Sequence, residues 1–147
     1  MSKNKKTKRN FQPKTSKTTK IKTSEVEFAE GRLLAWRFSF ADRNGVFSWS
    51  KLDDAEKHKK IIEKLREFEN FTAKSILNVG CHYIDREELS AEAENRLQEL
   101  QLDDVNGLYS LRICGRERIF CILDVNIMKI LWWDPHHTVC LSHKKNT

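Results

Sequence analysis

Three strand-length apolar runs lie almost end to end in the last third of the chain: Leu108–Cys114 (LYSLRIC), Arg118–Asp124 (RIFCILD) and Ile127–Trp133 (IMKILWW). Only Gly115-Arg116-Glu117 separates the first two, and only Val125-Asn126 the next two. Links this short join antiparallel neighbours, because a parallel crossover needs a dozen residues or more. A β-meander is therefore expected, and whatever precedes it has to pack on that sheet. Proline has no N–H for a ladder, so Pro135 ends the third run. Thr138-Val139-Cys140-Leu141 is expected to add a short edge.

Upstream, the period changes. Leu34, Trp36, Phe38 and Phe40 alternate and would share one face of an extended strand, and Asp42-Arg43-Asn44-Gly45 supplies reversal chemistry. A first helix is expected from about Asp53, because Asp53 and Asp54 suit the positive end of a helix. Its apolar stripe runs through Ala55, Ile61, Ile62, Leu65 and Phe68, with His58 bordering it. Residues 71–88 show no clear period. Ser90 is an N-cap for a second helix, with Glu92 and Glu94 in the first turn and Ala93, Leu97 and Leu100 on one face. The expected fold is α+β: a strand, then two helices on one face of a C-terminal antiparallel sheet.

Charge is distributed unevenly. Of 27 Lys and Arg against 21 Asp and Glu, nine basic residues and no acid fall within residues 1–22. The remainder of the chain is thus mildly acidic, while residues 105–147 alone are again basic. Residues 1–24 are expected to be a basic tail, disordered when free because it has too little apolar surface to offset its ordering entropy; residues 25–147 are expected to form one α+β domain. Lys5, Lys6, Lys8 and Arg9 are phosphate-seeking candidates in that tail, the alternative being a solvated, solubilising segment. No apolar stretch approaches the roughly 18 residues of a membrane span, so no membrane partner is expected. Cys81, Cys114, Cys121 and Cys140 form no C-x-x-C pair and no secretory h-region follows Met1, which points to a reducing cytoplasm. The cysteines read as small buried hydrophobes.

Chemistry concentrates around one reversal. Arg112, Arg116 and Arg118 lie on or beside the hairpin that closes at Gly115, and any such register brings Arg112 and Arg118 near each other. Facing like charges destabilise a strand pair unless an anion or an acid lies between them. Either Glu117, Asp124, Asp134 or acids of the second helix neutralise them, or the face binds phosphate, for which the planar guanidinium fork is suited. His136 and His137 follow Pro135, where the chain leaves the sheet. One of them, His137 by preference, is a candidate proton carrier, the alternative being an idle loop imidazole. Lys129 is a further phosphate candidate if it shares the arginine face. Trp132 and Trp133 must point to opposite faces. The scattered Cys and His residues lack zinc-module spacing, so no metal or other cofactor is expected. The absence of a Gly-rich phosphate loop, G-x-S-x-G and H-E-x-x-H removes the common nucleotide-hydrolase, esterase and zinc-protease readings.

The run from Leu108 to Phe120, then Ile130-Leu131-Trp132-Trp133 and His137-Thr138-Val139-Cys140, resembles the sheet of the RelE/ParE-like toxin superfamily. The closing Trp-Trp-Asp-Pro-x-His also resembles a group of small bacterial and phage proteins beside it. The resemblance covers 53–141 by element order and about 105–141 by motif. It implies two helices before an antiparallel sheet, and ribosome-dependent cleavage of messenger RNA restrained by an antitoxin. It further implies that Arg112 and Arg118 contact the scissile phosphate. Many relatives end the last strand in Val-Tyr, where this chain has Val139-Cys140; a thiol is neither a phenol nor a stacking face, so cleavage would fall to His136 or His137. The basic tail is no part of the usual toxin. The leading expectation is a toxin-like mRNA endoribonuclease, with Arg116 on the RNA backbone. A non-catalytic RNA- or DNA-binding protein that joins tail and hairpin into one footprint is the second expectation, and a protein-interaction module with internally paired arginines is the third.

Overall fold

The computed structural model describes residues 31–141. Its elements are β1 (Ala35–Arg37), α1 (Ala55–Phe68), β2 (His82–Asp85), α2 (Ala91–Glu99), β3 (Gly107–Cys114), β4 (Glu117–Asp124) and β5 (Ile127–Asp134). The three apolar runs are β3, β4 and β5, paired antiparallel in sequence order as their short links require. The five strands form one sheet in the order β1-β5-β4-β3-β2.

Two features of that sheet differ from the expectation. It is mixed rather than antiparallel, because β1 runs parallel to β5, with Trp36 opposite Met128. The chain between them is long enough to permit the crossover that a parallel pair needs. The helices also lie on opposite faces instead of one. Ile61, Leu65 and Phe68 of α1 pack with Leu111, Ile113, Ile119, Cys121, Met128, Ile130 and Trp133. Ala93 and Leu97 of α2 pack with Leu108, Phe120, Leu131 and Trp132. Near-continuous apolar runs are what a sheet buried on both sides demands. Trp132 and Trp133 point to opposite faces as expected, and both are buried. The register shifts at two places: between β4 and β5, Phe120 pairs with Trp132 and Cys121 with Ile130, leaving Leu131 as the extra residue of a bulge, and between β3 and β4, Arg112 pairs with Arg118 and Cys114 with Glu117, leaving Ile113 as the extra residue.

Local chemistry accounts for the helix starts. The Asp54 carboxylate accepts from the backbone N–H of Glu56 and Lys57, and the Ser90 hydroxyl from that of Ala93. His58 is exposed, its ring nitrogen 2.8 Å from the Asp54 carbonyl at the helix start. The aromatic stretch before α1 is shorter than the alternation suggests. Leu34 is buried and the Trp36 indole donates to the Leu65 carbonyl, but the chain turns at Ala41 and leaves Phe38 and Phe40 exposed. Residues 42–47 then run beside the outer half of β5, with Asp42 N donating to the Leu131 carbonyl and Trp133 N to that of Phe47. Within the aperiodic 71–88 segment lies β2, paired with β3 at the sheet edge. The edge expected at 138–141 is reduced to a single bridge between Cys140 and Leu89.

Candidate nucleic-acid interface

Hairpin register brings the arginines together. Arg112 of β3 lies directly opposite Arg118 of β4, and Arg118 directly opposite Asp134 of β5. Neighbouring strands are about 4.8 Å apart, so the three side chains leave the sheet in one row across its end. By strand alternation that row shares the face of Ser110, Phe120 and Trp132. Gly80 (φ +86°) supports it from the far side: its backbone needs glycine's left-handed freedom, and a Cβ there would stand 3.6 Å from Arg112 Cδ.

Most of the carboxylates that could neutralise the pair are engaged elsewhere, and none of them, Glu92 included, forms an ion pair with it. Glu117 lies 3.7 Å from Lys57, and Asp124 lies 3.6 Å from Lys129. On α2, Glu94 is clasped by Arg86 and Glu99 by Arg96. Asp134 is 1% exposed; one of its oxygens accepts from Thr138 N (2.9 Å) and Thr138 Oγ1 (3.1 Å), the other from Val139 N (3.0 Å). Arg118 donates only to carbonyls, those of Gly115 (2.7 Å) and Glu117 (3.1 Å). Burial, followed by the facing Arg112 charge, pushes the Arg118 guanidinium below its ordinary value, against the opposing pull of Asp134. Arg112 is exposed, and among the described residues no carboxylate forms an ion pair with either guanidinium.

The other candidates are distributed differently. Arg116 is exposed in the β3–β4 turn, close to the pair in sequence and in space. Lys129 starts on the same face by alternation, but five residues earlier on β5, about 16 Å from the arginine row at 3.3 Å per residue. Its ammonium is taken by Asp124 and the Phe40 ring. Lys5, Lys6, Lys8 and Arg9 lie outside the described residues. His136 is exposed and lines a cavity of ≈ 390 Å³ with Lys51, Asp53, Lys57, Trp133 and Asp134. His137 is half-buried with φ +58°, a left-handed conformation in the turn that the Asp134 carboxylate pins. No hydrogen bond joins either imidazole to Arg112 or Arg118.

Asp134, expected as a possible neutraliser of the arginines, and Cys140, expected as a departure from the tyrosine of relatives, have further roles in the structure. Asp134 holds the turn that carries the histidines, its carboxylate accepting from residues four and five positions on, a longer reach than the two-residue Asx turn that a sequence pattern signals. Cys140 stands beside the row, its thiol pushed up to about 11 by burial, with Asp134 and Glu88 adding to the rise. It is a protonated thiol at neutral pH and supplies no base. Among the described residues no three His, Cys, Asp or Glu side chains gather as a metal set, and none of the helices is long and apolar enough to cross a membrane. A wider groove of ≈ 960 Å³, lined by Asp85, Glu87, Glu94 and Asp103 around Arg86, has the wrong sign for a polyanion. No family model, curated protein or solved structure matches the chain.

Proposed function

We propose that the protein acts on RNA as a toxin-like endoribonuclease of the RelE/ParE type, with Arg112 and Arg118 as the phosphate-holding pair. The observation that carries this reading is the facing pair of guanidinium groups with no carboxylate between them. Two directly opposed cations disfavour the fold that holds them, and a phosphate oxygen placed between them converts that repulsion into two charge-assisted hydrogen bonds. In such cleavage a 2′-hydroxyl attacks the neighbouring phosphorus and the 5′-oxygen leaves, so the arginines stabilise charge that grows on the non-bridging oxygens. His137 or His136, on the turn beyond β5, moves the protons; Arg116 contacts the backbone. An acidic antitoxin covering the same row is the corresponding protein partner.

A second reading keeps RNA binding and drops cleavage. It is favoured by the lack of a base at the arginines: the Asp134 oxygens are engaged, Cys140 stays protonated, and neither imidazole is hydrogen-bonded to the pair. Full-length protein incubated with messenger RNA, alone and on translating ribosomes, separates the two. Endonuclease action predicts new RNA ends that vanish in both R112A/R118A and H136A/H137A, with binding lost only in the first. Binding without new ends, abolished by R112A/R118A, establishes the second reading. Absence of both sinks RNA function and leaves a protein-interaction module.

A further inference from the structure

The opposite end of the sheet carries a separate surface. Phe38 is 55% exposed and Phe40 38% exposed, just beyond β1. Exposed single apolar residues are ordinary, but these rings lie among cations. Arg37 Cζ lies 5.8 Å and Lys129 Nζ 4.8 Å from the Phe40 centroid. The two cations come together because Arg37 of β1 is paired in register with Lys129 of β5. Arg37 hydrogen-bonds only to the Ser39 hydroxyl and has no acid partner among the described residues, whereas Lys129 shares its charge with Asp124. Phe38 has no ring or cation stacked on it among the described residues. The chain also enters this end: Ala35 N donates to the Asn126 carbonyl, and the Asn126 amide donates to that of Leu33.

We infer that the Arg37–Phe40 edge is a sequence-tolerant site for single-stranded RNA, distinct from the arginine row. Phe38 offers the open stacking face. Phe40 seats Arg37 so that its charge meets a phosphate flanking a stacked base, while Lys129, paired with Asp124, borders the site. An aromatic face beside cations is the pairing by which single strands are held without base readout. Charge complementarity favours a polyanion over an apolar partner, since an apolar occupant would have to bury the Arg37 guanidinium unpaired.

The test measures binding of a fluorescently labelled oligouridylate to the full chain across a salt series. F38A should weaken binding about tenfold or more, and F38W should restore it, because stacking needs a ring and not a particular side chain. R37A should lower the salt slope by about 0.7, the loss of one single-strand phosphate contact. Unchanged affinity in F38A overturns the inference, and if R112A/R118A abolishes binding in the same assay the function proposed above survives alone. Loss in F38A with R112A/R118A unaffected does the opposite: the edge stands as the RNA site and the arginine row falls. Phe38-dependent binding to phosphatidylserine vesicles in place of RNA would assign the edge to a membrane surface and overturn it. So would a lowered thermal midpoint in F38A, which would mean that the ring packs against the chain's own remaining residues.

Discussion

Two arginine settings in this molecule are built in opposite ways. Arg96, on α2, donates to both carboxylate oxygens of Asp42 at 2.8 Å and to Glu99, and Asp42 also accepts from the Trp132 indole and the Asn44 and Gly45 amides. That carboxylate is buried, and its network ties α2 to the loop beside β5 and to the sheet core. Arg112 and Arg118 face each other with no acid between them. Charges of the first kind hold a fold together, because a buried carboxylate is tolerable only when each acceptor is engaged. Charges of the second kind work against the fold and are best explained by something outside it.

The contrast is most exposed to challenge at Arg96. R96A leaves the Asp42 carboxylate buried without its cation and should lower unfolding free energy by about 3 kcal/mol, measured by urea titration, while RNA binding changes only as far as folded protein is lost. A loss below about 1 kcal/mol would mean that the network is ornamental. R112A/R118A should do the reverse, abolishing RNA binding while unfolding free energy holds or rises by about 0.5 kcal/mol as the cross-strand repulsion goes. Marked destabilisation there would show that these arginines too are structural.

The smallest effect is a pH dependence. Burial alone would raise the Asp42 carboxyl; hydrogen bonds from Arg96, the Asn44 amide and Trp132 overcome it and hold the group down at about 2, against an ordinary 3.8. A depressed folded value means that the unfolded chain takes up the proton first. The Asp42 contribution is therefore present above pH 4, declines as pH falls toward 2 and is gone below it. Thermal midpoints of the wild type should drop more steeply than those of D42N across that window; parallel curves would mean that Asp42 is not the group responsible.

Legibility varied with how local the cause was. The strands β3 to β5 and the caps Asp54 and Ser90 could be read because hydrophobic runs and capping oxygens act over a few residues. The opposition of Arg112 and Arg118 was legible for the same reason, since a short hairpin fixes its own register. β2 was not, because four mostly exposed residues at a sheet edge carry no period. The exposure of Phe38 and Phe40 was hidden as well: alternation says which residues share a face, and the turn at Ala41 ends that face before they reach the core.

Read alone, the amino-acid order determined the meander, the helix starts, the division of the two tryptophans and the meeting of two arginines, all consequences of neighbour-scale sterics and hydrogen bonding. Tertiary structure alone decided that the helices take opposite faces, that β1 closes the sheet in parallel, and where each acid spends its charge. Glu117 goes to Lys57, Asp124 to Lys129, and Asp134 to the turn beyond β5. Ion pairing depends on distances between residues far apart in the chain, which no local pattern encodes. That long-range allocation leaves Arg112 and Arg118 without an ion pair among the described residues, with only the pull of buried Asp134 on Arg118.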